Sequence, residues 1–260
     1  MEEKTENFKI ETAYNRINAC FLPGRLELRS GDDSLQSVID LHNPHQLALK
    51  NLEYLMAVLL FIPQPERILM LGTAAGSLLH FLRHYFPEAA ITAVDIDVEF
   101  IEQLLEMEIL PPAQSGLTYV YDDAAHYIEH CDQSYDLILI DIFNGAQSPS
   151  WLLERNATNS LFRLLTNQGA LAYNLLIDSD HDFKRYYRDL RIVFDQQTLC
   201  LPVQGLENTI AYGIHSPPPP REMTQNMQLA AELSERLGID FMRVLAVIYN
   251  TNPVVGLGVI

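Results

Sequence analysis

Between Arg67 and Ile214 the chain alternates between two hydrophobic patterns. Short continuous apolar runs predict strands at 67–71, 90–95, 117–121, 135–141 and 169–176. The stretches after them place apolar residues at three- and four-residue intervals and predict helices at 75–86, 97–108, 123–130, 151–165 and 180–190. Two more strands, 191–203 and 208–214, are joined at Gln204 to Glu207. That connection has no room for a crossover helix, so the two must be antiparallel neighbours. Regular alternation of this kind implies an α/β fold, a doubly wound and mostly parallel seven-stranded sheet with helices on both faces.

The flanks read differently. Residues 1–43 carry short apolar pieces, Phe8-Lys9-Ile10, Arg25 to Leu28 and Leu35 to Leu41, separated by Pro23-Gly24 and Ser30 to Asp33, a pattern that predicts a small antiparallel strand unit. From His45 to Phe61 the spacing of Leu49, Leu52, Leu55, Met56 and Leu59 predicts a helix, stopped by Pro63 and Pro65. The main domain spans 44–216 on this reading. Residues 217–260 form a tail: a stiff linker at Pro217 to Pro220, a helix over 222–237, a break at Gly238 and an apolar segment from Phe241 to Tyr249. Docking of this tail on its own core is favoured over docking on a second subunit.

Composition narrows the functional classes. Seventeen basic against thirty-four acidic residues leave a formal charge of −17, which repels phosphate backbones and anionic lipid, so neither nucleic acid nor membrane is expected as a partner. The longest apolar stretch, Tyr54 to Ile62, is too short to span a bilayer. The acidic start carries no secretory leader, and Cys20, Cys131 and Cys200 form no paired spacing, so a reducing, cytoplasmic setting is expected.

Candidate chemistry gathers at the strand ends. Ile68-Leu-Met-Leu-Gly-Thr-Ala-Ala-Gly76 runs from a strand into a turn of small residues, and Asp95 ends the next strand nineteen residues after Gly76. Gly72 can take a positive φ, the alanines at 74 and 75 let a ligand approach the backbone, and the helix beyond offers free N–H groups. A carboxylate at Asp95 can accept both ribose hydroxyls. The order Gly72-x-Ala74-x-Gly76 is closer to the turn of S-adenosylmethionine-type folds than to a dinucleotide fingerprint. Asp123 and Asp141 fall at the ends of the third and fourth strands. The bland alternative is a tight turn with incidental acids.

Over residues 34–214 the chain resembles the spermidine synthases and their spermidine-synthase-like relatives, polyamine aminopropyltransferases with a methyltransferase-type Rossmann fold. The resemblance rests on Ile68 to Ser77, Phe86-Pro87 to Val94-Asp95-Ile96-Asp97, Asp123-Ala124-Ala125-His126-Tyr127-Ile128, and Tyr135-Asp136 to Asp141, with Gln36 fitting the N-terminal strand unit. It implies a nucleoside site built from Gln36, Gly72, Ala74, Gly76, Asp95, Ile96, Asp123 and Ala124. Asp95 would hold the ribose of decarboxylated S-adenosylmethionine, and Asp123 with Ala124 would read the adenine edge. Asp141 would be the catalytic carboxylate that assists removal of the amine's proton, and Tyr54 and Asn144 would lie on the substrate side. The resemblance also implies a homodimer and no permanently bound cofactor.

Two departures bear on activity. Ala75 stands where the related synthases carry an acid facing the donor's propylammonium tail, and Asn144 stands where they carry a second acid beyond the catalytic one. An amide can bond an ammonium but supplies no charge. Three readings stay open: aminopropyl transfer to an amine, methyl transfer from S-adenosylmethionine, whose tail carboxylate an acid at 75 would repel, and a non-catalytic nucleoside-binding role. The pairs His80/His84 and His126/His130 have one-turn spacing but no adjoining ligand pattern, so they are read as solvated helix histidines and no metal is expected. Ser148, Pro149 and Trp151 fit either a lid over the substrate or a helix start with one core tryptophan.

Overall fold

The computed structural model describes residues 6–216 and 222–252 except 32, 115 and 146. The predicted linker at Pro217 to Pro220 lies outside the described residues. Strands β1 (Glu6–Glu11), β2 (Arg16–Leu22), β3 (Arg25–Ser30) and β4 (Leu35–Asp40) form an antiparallel sheet in that order. The pattern-based reading missed β2, whose inward positions Ile17, the small Ala19 and half-buried Phe21 alternate with Asn18, Cys20 and Leu22, too little contrast to mark an alternation. One face of this sheet, with Ile10, Ile17, Ala19, Leu26, Leu28 and Ile39, is continuous with the main core.

The helix expected over 45–61 is shorter. It forms α1 (Lys50–Leu55) and then tightens into a 3-10 turn at Met56–Leu60. Leu49 at its start gives no capping side chain, and the residues of the tight turn are buried on every side, so packing rather than helical periodicity decides the path.

Seven strands make the main sheet: β5 (Arg67–Leu71), β6 (Ala90–Asp95), β7 (Leu117–Tyr121), β8 (Tyr135–Ile140), β9 (Leu165–Leu175), β10 (Thr198–Pro202) and β11 (Thr209–Ile214). Their order is β10-β11-β9-β8-β5-β6-β7, with β11 antiparallel to both neighbours and the pairings from β9 to β7 parallel. The expected doubly wound, mostly parallel sheet is therefore present. The strand predicted at 191–203 starts only at Thr198, because helix α6 (Asp180–Val193) absorbs the β-branched Ile192-Val193 pair. Asp195 and Gln196 then reverse the chain with φ of 46° and 69°.

The central strands are buried on both faces. Ile68, Met70, Leu137, Leu139, Ala170 and Ala172 face one core, shared with α1, α2 (Ser77–Tyr85), α3 (Val98–Glu106) and the N-terminal sheet. Leu69, Leu71, Ile138, Ile140, Leu171 and Tyr173 face the other, shared with α4 (Ala124–His130), α5 (Arg155–Arg163) and α6. The tail docks on its own molecule: α7 (Met223–Leu237) and α8 (Phe241–Thr251) bury Leu233, Phe241, Val244 and Ile248 in the first core. Asn252 then closes edge strand β10, accepting from the Cys200 N–H at 3.1 Å and donating to its carbonyl at 3.0 Å as a neighbouring strand would. No described helix is long and apolar enough to cross a membrane.

Candidate active site

Helices leave β5 and β8 toward opposite faces, so the carboxyl ends of these central neighbours flank a crevice, the place where open α/β sheets bind ligands. The two strands close tightly there. The Asp141 N–H donates to the Leu71 carbonyl at 2.9 Å, and a Cβ on Gly72, whose φ is +84°, would sit 2.4 Å from the Asp141 carbonyl oxygen. The turn beyond holds Ala74 at φ 46° and Gly76 at φ 84°. A left-handed alanine costs about 1 to 2 kcal/mol, strain that the surrounding bonds must impose.

Only one of the two alanines stays on the open side of the turn. Ala74 is partly exposed, whereas Ala75 is 0% exposed with its methyl in the first core. The expectation that both sit beside a ligand is corrected accordingly. Strand β4 abuts the start of α2, where the Ser77 hydroxyl donates to the Val38 carbonyl at 3.1 Å and lies 3.3 Å from the Ser37 hydroxyl. Gln36 precedes buried Ser37 and, by strand alternation, lies on the opposite, half-exposed face of β4.

Strand alternation also turns Asp95, Asp141 and Asn174 to the face of the first core. Asp95 accepts the Thr73 N–H at 2.9 Å on one oxygen and the Asp97 N–H at 3.1 Å on the other. Burial pushes its carboxyl above the ordinary range, and these two bonds oppose the shift. Ile96 stands beside it, 39% exposed. Asp97 is buried at 1% exposure. It caps α3 through the Phe100 N–H at 3.1 Å and accepts at its second oxygen the Thr12 hydroxyl at 2.5 Å and the Asn15 amide at 2.6 Å.

Asp123 is an exposed N-cap of α4, accepting the Ala125 N–H at 2.8 Å with one oxygen, beside buried Ala124. Its neighbour Asp122 pairs with His126 at 2.8 Å and raises that imidazole's pKa.

Asp141 has a different environment. The residue keeps some exposed surface, yet desolvation raises its carboxyl pKa, opposed only by a bond from the Asn174 amide at 2.8 Å. Asn174 in turn accepts from the Asn208 amide at 2.9 Å. No ion pair reaches Asp141 among the described residues. Sequence reasoning missed Asn174 and Asn208. The available signal was a lone amide inside the apolar run Ala170 to Leu176, since buried polar side chains need partners.

The remaining substrate-side candidates, Asn144 and Tyr54, make no hydrogen bond to Asp141. Asn144 is exposed in a tight turn closed by its own N–H to the Gln147 carbonyl at 2.8 Å, and Gln147 bonds Asp178. The segment is then fastened at Ser148, whose N–H donates to the Leu176 carbonyl and whose hydroxyl accepts the Leu176 N–H, both at 2.9 Å. Trp151 is half-buried against the second core. Tyr54 is a core residue at 1% exposure whose carbonyl accepts the Tyr212 hydroxyl at 2.5 Å, while its own hydroxyl has no protein partner. It presents no open surface to a substrate.

Among the described residues no group of three or more His, Cys, Asp or Glu is arranged to hold a metal. His80 bonds the Ile109 carbonyl at 2.7 Å, and His84 stacks on His45 at 3.8 Å, so the one-turn pair on α2 is engaged in packing instead.

This strand order and crevice define the class: a methyltransferase-type α/β fold, with a desolvated carboxylate at the carboxyl end of β8. No family model matches the chain. A polyamine aminopropyltransferase of Neisseria meningitidis is 29% identical over 227 residues, covering 87% of this chain and 86% of that protein. Among solved structures, a probable spermidine synthase from Corynebacterium glutamicum superposes with a TM-score of 0.74 at 19% identity, covering 94% of both chains. Human methyltransferase-like protein 13, solved with SAH, superposes at 0.60 with 21% identity, covering 77% of this chain and 92% of its own. The chain is thus a homologue of the polyamine aminopropyltransferases, and the resemblance to spermidine synthases holds over most of its length.

Proposed function

We propose that the protein transfers an aminopropyl group from decarboxylated S-adenosylmethionine to a small amine. The observation that carries the reading is Asp141: a desolvated carboxylate in the crevice, with one amide bond and no cation among the described residues. A buried charge left so poorly paired favours a cationic ligand. The amine arrives as an ammonium and gives a proton to Asp141, from which it passes to water. The neutral nitrogen then attacks the propyl carbon beside the sulfonium. The new C–N bond forms as the C–S bond breaks, its electron pair goes to sulfur, and methylthioadenosine leaves. The raised pKa brings Asp141 closer to the amine's value of about 10.4 and makes it a better base than an ordinary carboxylate.

On this reading Asp95 takes the ribose hydroxyls, Ile96 and Ala124 flank the adenine, and the free oxygen of Asp123 accepts from its amino group. Gly72, Ala74 and Gly76 let the backbone approach the nucleoside, Gln36 borders it, and Asn144 faces the amine from the turn after β8. Residues 1–43 act as a cover, 44–216 as the nucleoside-binding domain and 217–260 as a brace. We assign the working form as a cytoplasmic homodimer on the same resemblance.

One observation favours methyl transfer as a second reading. Position 75 offers only a core methyl, so nothing there repels the tail carboxylate of S-adenosylmethionine. Mass spectrometry of reactions pairing each donor with a panel of amines separates the two. An aminopropyl mass gain supports the first reading, a methyl gain replaces it with the second, and no gain with either donor refutes transfer.

A further inference from the structure

A continuous chain of hydrogen bonds joins the tip of the first hairpin to the turn after β5. The Thr12 hydroxyl accepts the Tyr14 and Asn15 N–H groups at 3.2 and 2.9 Å, which folds the tip into a local turn. The same hydroxyl, with the Asn15 amide, donates to one oxygen of Asp97. Asp97 gives its N–H to Asp95, and Asp95 takes the Thr73 N–H with its other oxygen. Neutral donors alone satisfy Asp97, which is 1% exposed and in no ion pair among the described residues.

Burying a carboxylate to hold an exposed loop is an expensive way to fasten a sheet, since apolar contacts would do so without a desolvation cost. The small sheet already has such contacts through Ile10, Ile17 and Leu26. What the polar link adds is direction. Charge-assisted bonds at Asp97 fix the path of Asp95-Ile96-Asp97, and with it the rotamer of the carboxylate that must meet two vicinal hydroxyls. We propose that Thr12 and Asn15, more than eighty residues from Asp97 in the chain, are positioning residues of the nucleoside site that set Asp95 for ribose. This inference rests on the nucleoside-binding reading above and adds the hairpin tip to the binding machinery.

The test crosses protein variants with ligands by titration calorimetry. The ligands are 5′-methylthioadenosine and its 2′,3′-dideoxy counterpart, which cannot use Asp95. Thr12→Val and Asn15→Leu are each expected to weaken methylthioadenosine about tenfold, about 1.4 kcal/mol, and the dideoxy compound less than about twofold. Thr12→Ser keeps the hydroxyl and is expected to bind both as the parent does. Equal losses for the two ligands, no loss for either, or a Thr12→Ser variant as weak as Thr12→Val overturns the inference while leaving the transferase reading intact. A parent protein that binds neither nucleoside overturns both.

Discussion

Replacing Gly72 by alanine isolates the close approach of β5 and β8. The added Cβ would lie 2.4 Å from the Asp141 carbonyl oxygen and 3.0 Å from its carbon, where ordinary contact begins near 3.4 Å, so the strand ends must part by roughly 1 Å. Both atoms are backbone, so no side chain can swing aside. Gly205 supplies a matched control, with φ of +86° against +84° and nothing within 4 Å of the position a Cβ would take. At Gly205 the left-handed alanine costs about 1 to 2 kcal/mol, offset by about 0.4 to 1 kcal/mol from a stiffer unfolded chain, a net loss near 1 kcal/mol. Gly72→Ala adds overpacking of about 1 to 3 kcal/mol, for a total near 3 kcal/mol. For a chain of this size each kcal/mol lowers the melting temperature by about 2 to 4 °C. Urea titrations of the two variants measure the difference directly. A 1 Å shift of Asp141 is also expected to cost about 10²-fold in turnover. If the two variants are destabilised equally, within about 0.5 kcal/mol, the strand approach does not constrain position 72 and the account of the crevice is wrong.

Asp141→Asn is expected to lower turnover by about 10² to 10⁴-fold while nucleoside affinity stays within about twofold, and unchanged turnover removes Asp141 from the mechanism. The same variant is expected to stabilise the fold at pH 7 by about 1 to 3 kcal/mol, the usual penalty of an undersatisfied buried group. The sign follows from linkage: with the folded pKa raised, the contribution of Asp141 is fully present below the unfolded value of about 3.9 and is lost as pH rises through the folded value, so the gain must shrink toward pH 4. On the proposed mechanism turnover needs ionised Asp141, and Asn174→Leu removes the bond that favours the carboxylate, so the acid limb of the kcat profile is expected at higher pH; a limb that moves down or stays fixed refutes the Asn174 contact. Asn252→Ala leaves the Cys200 N–H without its partner and its carbonyl with only the Thr251 hydroxyl at 3.5 Å, and is expected to cost about 1 to 3 kcal/mol in urea unfolding, with more aggregation from the uncovered edge.

The sheet was legible because its central strands are buried on both faces and read as unbroken apolar runs such as Ile68 to Leu71 and Leu137 to Ile140. The turn at Gly72 and the acids at Asp95 and Asp141 were legible for a related reason, being small or charged residues that interrupt such runs at their carboxyl ends. Segments whose burial depends on distant partners were not. Ala75 and Ala74 are chemically identical, and only the backbone path sends one into the core. Tyr54 carries a polar group, yet it is 1% exposed and its carbonyl takes the hydroxyl of Tyr212, more than 150 residues away on β11. Ile192-Val193 has strand propensity, yet it continues α6 up to buried Phe194. The links from Thr12 and Asn15 to Asp97 span more than eighty residues and leave no local pattern to read.

The reciprocal bonds between Ser148 and Leu176 rivet the crossover after β8 to the end of β9. Gln147, bonded to Asp178, and Ile142, packed against the second core, tie the turn around Asn144 to the same layer. On the proposed reading, a guest that comes to Asp141 therefore meets a rim fastened on both sides, whose shape is set before it arrives.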